Sequence, residues 1–243
     1  MSANAFAVQP TGDDRLLSLL ADGALEIVGR IPSSNLALLV EVAGSGATVF
    51  AVYKPEAGER PLWDFDPGLH RRELAAYLLS EWLGWGLVPP TVVREDGPLG
   101  PGSLQLYIDA NEAEHYFTID HRRPGVLATL QTLALFDAVA NNADRKAGHV
   151  LRDPDGRIWA IDHGLCFAAE YKLRTVIWDF ADDPVPDGLL GRIVPLLTEV
   201  PDELVAVLDP DEVDALQARV RRLVRTGRFP VDRSGRGVPW PLV

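Results

Sequence analysis

The chain has 243 residues, 47% of them hydrophobic and 24% charged, ample for one large domain or two small lobes around a full core. Its net charge of −12 argues against general nucleic-acid binding, which needs cations along phosphate backbones, and, unless basic residues cluster locally, against stable docking on an anionic membrane. A single cysteine, Cys166, excludes an intrachain disulfide framework. With no apolar run near the roughly 18 residues of a spanning helix, and no signal-peptide pattern over residues 1–23, a reducing cytoplasm is the expected setting.

Residues 13–22 read as a helix with Leu16, Leu17, Leu19 and Leu20 on a broad apolar face. Strands are expected at 25–30, 36–42 and 48–53, separated by Pro32-Ser33-Ser34-Asn35 and by Gly44-Ser45-Gly46. An amphipathic helix over 66–83 turns Leu69, Leu74, Tyr77, Leu78 and Trp82 inward, and Gly84 ends it. Strands at 91–94 and 104–108 complete a five-stranded antiparallel lobe with one main helix. A long helix rich in Leu, Ala and Val, over 123–139, runs straight into the polar string Asn141-Asn142-Ala143-Asp144-Arg145-Lys146. Segments 150–152 and 157–161 form a hairpin turned by Asp153-Pro154-Asp155-Gly156. Helices at 187–197, 201–208 and 211–226 follow, and 228–243, rich in Gly, Pro and Arg, is expected along the surface. The fold class is therefore α+β: a β-rich N-lobe (1–109), a mostly helical C-lobe (110–228) and a tail (229–243), with a cleft between the lobes.

The hairpin brings its ends together, so Asp144, His149 and Asp162 are expected to converge at one edge. Asp144 is placed as the general base, or as the carboxylate that orients a hydroxyl, with Arg145 grouped beside it; a plain helix-terminating aspartate is the bland alternative. Asp162 follows the apolar strand Ile158-Trp159-Ala160-Ile161, and a carboxylate there is costly unless paired or bound to metal. His149 lies five residues after Asp144 and is placed as a second metal ligand, although a lone histidine more often just caps a turn. Lys54 ends the strand Val49-Phe50-Ala51-Val52-Tyr53 and suits phosphate oxygens, with Glu73, nineteen residues on, as the carboxylate that keeps it charged. A lysine that simply extends its stem to solvent is the competing reading. The chain has only three lysines against twenty arginines, and two of the three, Lys54 and Lys146, fall in these segments. Ser33, Ser34 and Asn35 offer backbone N–H groups to phosphate. Lys172 and Arg174, in the segment after Asp162, are placed towards an acceptor.

Together these residues resemble the kinase superfamily, most closely its phosphatidylinositol 3-/4-kinase-like branch and, within it, the type II phosphatidylinositol 4-kinases. Segment 49–55 looks like the strand carrying the ATP-contacting lysine. Glu73-Leu74-Ala75-Ala76-Tyr77-Leu78-Leu79 through Leu83-Gly84-Trp85-Gly86-Leu87-Val88-Pro89 looks like the helix and turn after it. Gly102-Ser103-Leu104-Gln105-Leu106-Tyr107-Ile108 is similar to the strand entering the hinge. Asn142-Ala143-Asp144-Arg145 with Ala160-Ile161-Asp162-His163-Gly164-Leu165-Cys166-Phe167 is similar to the catalytic and metal-binding loops. The resemblance implies a two-lobed kinase-like fold in which Lys54 holds ATP phosphates, Glu73 orients it, Asp144 acts on the acceptor hydroxyl and Asp162 binds magnesium. It also puts Ile108 to Ala110 beside adenine.

Three departures stand out. His149 occupies the place of a metal-binding asparagine, and imidazole suits Mn²⁺ better than Mg²⁺. The phosphate loop is poor in glycine, and no cysteine-rich or strongly basic membrane-docking segment is present. The expected activity is transfer of the γ-phosphoryl group of ATP, with Mg²⁺ or Mn²⁺, to a hydroxyl-bearing acceptor of inositol type, another small molecule or a protein. Two rivals use the same cleft: transfer of AMP from ATP held in reverse, and nucleotide binding without turnover, as in a pseudokinase.

Overall fold

The computed structural model describes residues 14–123 and 125–243. Asp13, the expected first residue of the first helix, and most of the stretch read for a signal peptide therefore lie outside the described residues.

The N-lobe opens with α1 (Asp14–Asp22), whose Leu16, Leu19 and Leu20 pack against a sheet. The strands are β1 (Ala24–Ile31), β2 (Ala37–Gly44), β3 (Ala47–Pro55), β4 (Thr91–Gly97) and β5 (Gly100–Leu106), all paired antiparallel in the order β1-β2-β3-β5-β4. Alternation sends Val40, Val42, Ala51, Tyr53 and Leu104 into one core, which puts the next residue after Tyr53, Lys54, on the opposite face. Helix α2 (Leu69–Trp82) starts later than the pattern suggested. Gly68 takes a left-handed φ of 97°, and the Glu59 carboxylate accepts the Gly68 and His70 N–H groups at 2.9 and 3.1 Å, serving as the cap.

The C-lobe contains α3 (Val126–Ala140), the hairpin β6 (Val150–Arg152) and β7 (Ile158–Ala160), then α4 (Asp187–Ile193), α5 (Asp202–Val205) and α6 (Pro210–Thr226). Gly125, at φ 82°, delays the start of α3 to Val126. The expected helix over 187–197 is α4 with a 3-10 turn, Val194–Leu197, appended, and only four residues of 201–208 are α-helical. Leu130, Leu133, Phe136, Leu216 and Val220 centre the larger core. Among the described residues no helix is long and apolar enough to cross a membrane.

Two placements differ from the division into lobes read from the sequence. Helix α2 buries Ala75, Ala76, Tyr77 and Leu79 in the C-lobe core, so it bridges the lobes instead of belonging to the first. The tail is not merely superficial. The Gly237 carbonyl accepts the Thr175 N–H and the Trp178 indole N–H, both at 2.9 Å, and the Leu242 carbonyl accepts the Ala147 N–H at 2.8 Å. It braces the very loop that carries Asp144.

Candidate active site

Lys54 emerges from β3 into the cleft and meets two carboxylates. Its Nζ donates to Glu73 Oε1 at 2.5 Å and to Asp162 Oδ1 at 2.8 Å. Burial works to discharge the ammonium, but Asp162 and Glu73 outweigh it and hold its pKa above that of an ordinary lysine. Glu73, on α2, uses its other oxygen to accept the His163 N–H at 2.9 Å. One carboxylate thus fixes both the lysine and the backbone immediately after Asp162.

Asp162 has a left-handed φ of 60°, a conformation that aspartate tolerates better than most side chains. Hydrogen bonds on both sides hold it there. The Ile161 N–H donates to the His149 carbonyl at 3.0 Å, Arg145 Nη1 donates to the Ile161 carbonyl at 2.8 Å, and Glu73 secures His163. Burial would raise the Asp162 pKa, yet Lys54 and then His149 overcome it and keep the carboxylate ionised well below the usual range. Its side chain remains 37% exposed, which leaves it open to a ligand.

His149 reaches Asp162 as expected, its Nε2 lying 3.2 Å from Oδ2. Its Nδ1 accepts the Lys146 N–H at 3.4 Å, so the neutral ring carries its hydrogen on Nε2 and donates it to the carboxylate. Burial pushes the His149 pKa down to about 4, which keeps the ring neutral at neutral pH. His149 thus stands beside Asp162 as a neutral imidazole, the form that can position the carboxylate and the form in which a ring nitrogen ligates a metal.

Asp144 lines the same cleft. Its N–H is held by Asn142 Oδ1 at 2.9 Å, and its Oδ2 lies 3.2 Å from Lys146 Nζ. Burial raises the Asp144 pKa, Lys146 opposes this, and Asp162 adds to it, a balance that suits a carboxylate meant to take up a proton. Arg145 requires a correction. Its guanidinium is 0% exposed, bonded to Asp137 (Nε to Oδ2 at 3.0 Å, Nη2 to Oδ1 at 2.9 Å), to the Ile161 carbonyl and to His163 Nε2 at 2.7 Å. It cannot touch a substrate; it holds the two loops together from beneath.

Ser33, Ser34 and Asn35 line the cleft with Lys54, Asp144 and Asp162, around a narrow space of about 50 Å³. Their loop lacks glycine, but the following strand segment pins it: the Leu36 N–H donates to the Gly58 carbonyl at 3.1 Å, and Asn35 Oδ1 accepts the Arg60 N–H at 3.0 Å. Leu36 packs so tightly on Gly58 that a Cβ there would lie 2.4 Å from it. Ile108 packs on the N-lobe core and Ala110 follows it beyond β5; this cleft is lined without either. Lys172 is also placed differently from the expectation. Its side chain is 9% exposed, lies 3.4 Å from Asp64 Oδ2 and sits 4.6 Å above the Phe65 ring, so it ties down the 59–68 segment and does not face an acceptor.

The residue the sequence reading missed is Asp137. It is fully buried on α3 and gathers Arg145, Asn142 Nδ2 at 3.0 Å and Thr175 Oγ1 at 3.4 Å. An acid inside Leu133-Ala134-Leu135-Phe136-Asp137-Ala138-Val139-Ala140 was the available signal, since charge in so apolar a helix must be paired.

Among the described residues no three His, Cys, Asp or Glu side chains form a metal cage. The donor set fits a cation held jointly by one carboxylate, Asp162, and by phosphate oxygens, the common arrangement for Mg²⁺ on a nucleotide.

No family model matches the chain. Protein Rv2133c of Mycobacterium tuberculosis (strain ATCC 25618 / H37Rv) is 38% identical over 262 residues, covering 92% of this chain and 94% of that protein. Phosphatidylinositol 4-kinase gamma 4 of Oryza sativa subsp. japonica is 28% identical over 199 residues; these cover 67% of this chain and 34% of the rice protein, of which the chain spans about a third. Among solved structures, hydra Fam20 with sugar gives a TM-score of 0.58 at 14% identity over 89% of each chain. The Golgi casein kinase with Mn/ADP bound gives 0.57 at 14% identity, over 95% of this chain and 80% of that one. The fold is kinase-like, and these likenesses do not single out the phosphatidylinositol branch within it.

Proposed function

The chain belongs to the family of Protein Rv2133c, and on that premise and the geometry of the cleft we propose that it is an ATP-dependent phosphotransferase acting on a hydroxyl-bearing acceptor. The observation that carries this reading is the convergence of Lys54, from β3, on Glu73 and Asp162 at 2.5 and 2.8 Å, with Asp144 lining the same cleft. Phosphoryl transfer asks of a protein mainly positioning and charge neutralisation, and these four side chains supply both.

Lys54 holds phosphate oxygens, and Glu73 keeps it charged and aimed. Asp162, steadied by His149 and Lys54, holds a divalent cation shared with the nucleotide; when bound, that cation neutralises phosphate charge. Asp144 accepts the proton of the acceptor hydroxyl as its oxygen bonds to the γ-phosphorus and the bond to the bridging oxygen of ADP breaks. Lys146, beside Asp144, offsets the charge gathered there. Inositol-type hydroxyls, to which the likeness to the rice lipid kinase points, are one acceptor class; other small molecules and protein hydroxyls are the others.

Calorimetry with ATP in the presence and absence of Mn²⁺ tests the reading. The intact protein is expected to bind ATP more tightly with the metal, and Asp162→Ala to erase that difference while leaving the thermal unfolding midpoint nearly unchanged. ATP binding that ignores both Mn²⁺ and the substitution would remove Asp162 from the proposed role.

A further inference from the structure

A second cavity, of about 390 Å³, lies in the C-lobe away from the cleft, between α6, the end of α3, residues 169–171 and the chain after α6. Four arginines line it: Arg219 and Arg222 on one face of α6, and Arg228 and Arg233 beyond the helix. The acidic residue in its lining is Asp182. In a chain of net charge −12 this is a local reversal of sign.

Arg219 is the informative member. It is 9% exposed, its Nε donates to the Val139 carbonyl at 2.9 Å and its Nη1 to the Ala168 carbonyl at 3.2 Å, but Nη2 is buried without a partner. Among the described residues none of the four arginines forms an ion pair. A buried guanidinium nitrogen left without a hydrogen-bond acceptor costs stability, and an anion in the cavity would remove that cost. Burial lowers the Arg219 pKa only to about 10, so the side chain stays charged at neutral pH.

The rest of the wall narrows the class of anion. Tyr171, whose ring centre lies 6.0 Å from the Arg222 guanidinium carbon, and Phe229 and Leu223 give an apolar and aromatic surface larger than a bare oxyanion needs. The volume falls within the roughly 300–1,000 Å³ of small-molecule pockets. Guanidinium forks match phosphate oxygens in pairs. We propose that this cavity is a binding site for a soluble organic phosphate monoester, its phosphate among the arginines and its apolar body against Tyr171 and Phe229. The site adjoins the catalytic loop, because the Ala168 carbonyl that Arg219 contacts also accepts Asn141 Nδ2 at 2.8 Å.

Calorimetry of the full chain with phenyl phosphate, inorganic phosphate and benzoate tests this. Phenyl phosphate is expected to bind more tightly than either of the others. The double change Arg222→Ala/Arg233→Ala, on exposed residues, and the cavity-filling Ala215→Phe should each weaken it by about tenfold or more. Lys54→Ala, in the other cleft, should leave this binding unchanged, so failure here is distinguishable from failure of the proposed activity. Binding lost in Lys54→Ala but kept in the arginine and cavity-filling variants would overturn the site. Benzoate binding as tightly as phenyl phosphate would overturn the phosphate assignment, and absence of binding at millimolar phenyl phosphate would overturn both.

Discussion

Replacing Asp144 by asparagine is expected to slow Mn²⁺-dependent consumption of γ-labelled ATP by at least about 100-fold, equivalent to roughly 2.7 kcal/mol of barrier. Asparagine has nearly the same shape but cannot accept the acceptor's proton. The fold should not suffer. Burial, reinforced by Asp162, already pushes the Asp144 carboxyl towards its neutral form, so a neutral replacement relieves repulsion and forfeits only the contact with Lys146. Unfolding curves of the two proteins should therefore nearly superimpose while their rates diverge. Comparable rates would show that Asp144 is not the proton acceptor, and a collapsed unfolding curve would make the rate uninterpretable as chemistry.

The largest effect on stability is expected at Asp137, which touches no substrate. Asp137→Ala leaves the Arg145 guanidinium at 0% exposure with no counter-charge, and breaking a buried pair by removing one partner typically costs about 3–5 kcal/mol. Folded domains hold only about 5–15 kcal/mol in reserve, so denaturant titration should show a large fall in the midpoint. The double change Asp137→Leu/Arg145→Met, which removes both charges and keeps much of the volume, should recover a substantial part of the loss, because the isolated pair contributes little beyond its own desolvation. A single substitution costing under about 1 kcal/mol would refute the view that this pair clamps the loop carrying Asp144.

Much of the scaffold was legible because it is periodic. Turn residues and apolar runs marked the strands, a helical repeat marked α1, α2 and α6, an unbroken run of Leu, Ala and Val marked α3, and Asp153-Pro154-Asp155-Gly156 marked the one hairpin that matters for the site. The convergence of Lys54, Glu73 and Asp162 was legible for a different reason: a lysine at a strand end and an aspartate after a buried strand are each costly unless they find each other. What stayed hidden depends on contacts that no local pattern encodes. Arg145 looks like a partner of its neighbour Asp144, yet it turns inward to an aspartate on the preceding helix. Which ring nitrogen of His149 meets a backbone N–H is likewise a matter of ångströms and not of residue type. Helix α2 carries apolar residues that suit either core, and only packing decides that they enter the lower one.

That last allegiance has a mechanical side. Helix α2 packs against β4 and β5 above while its apolar residues enter the larger core below, so Glu73 is anchored to both halves at once. Its carboxylate, joined to Lys54 on one side and to the His163 N–H on the other, ties the third strand to the backbone after Asp162 through a single rigid post.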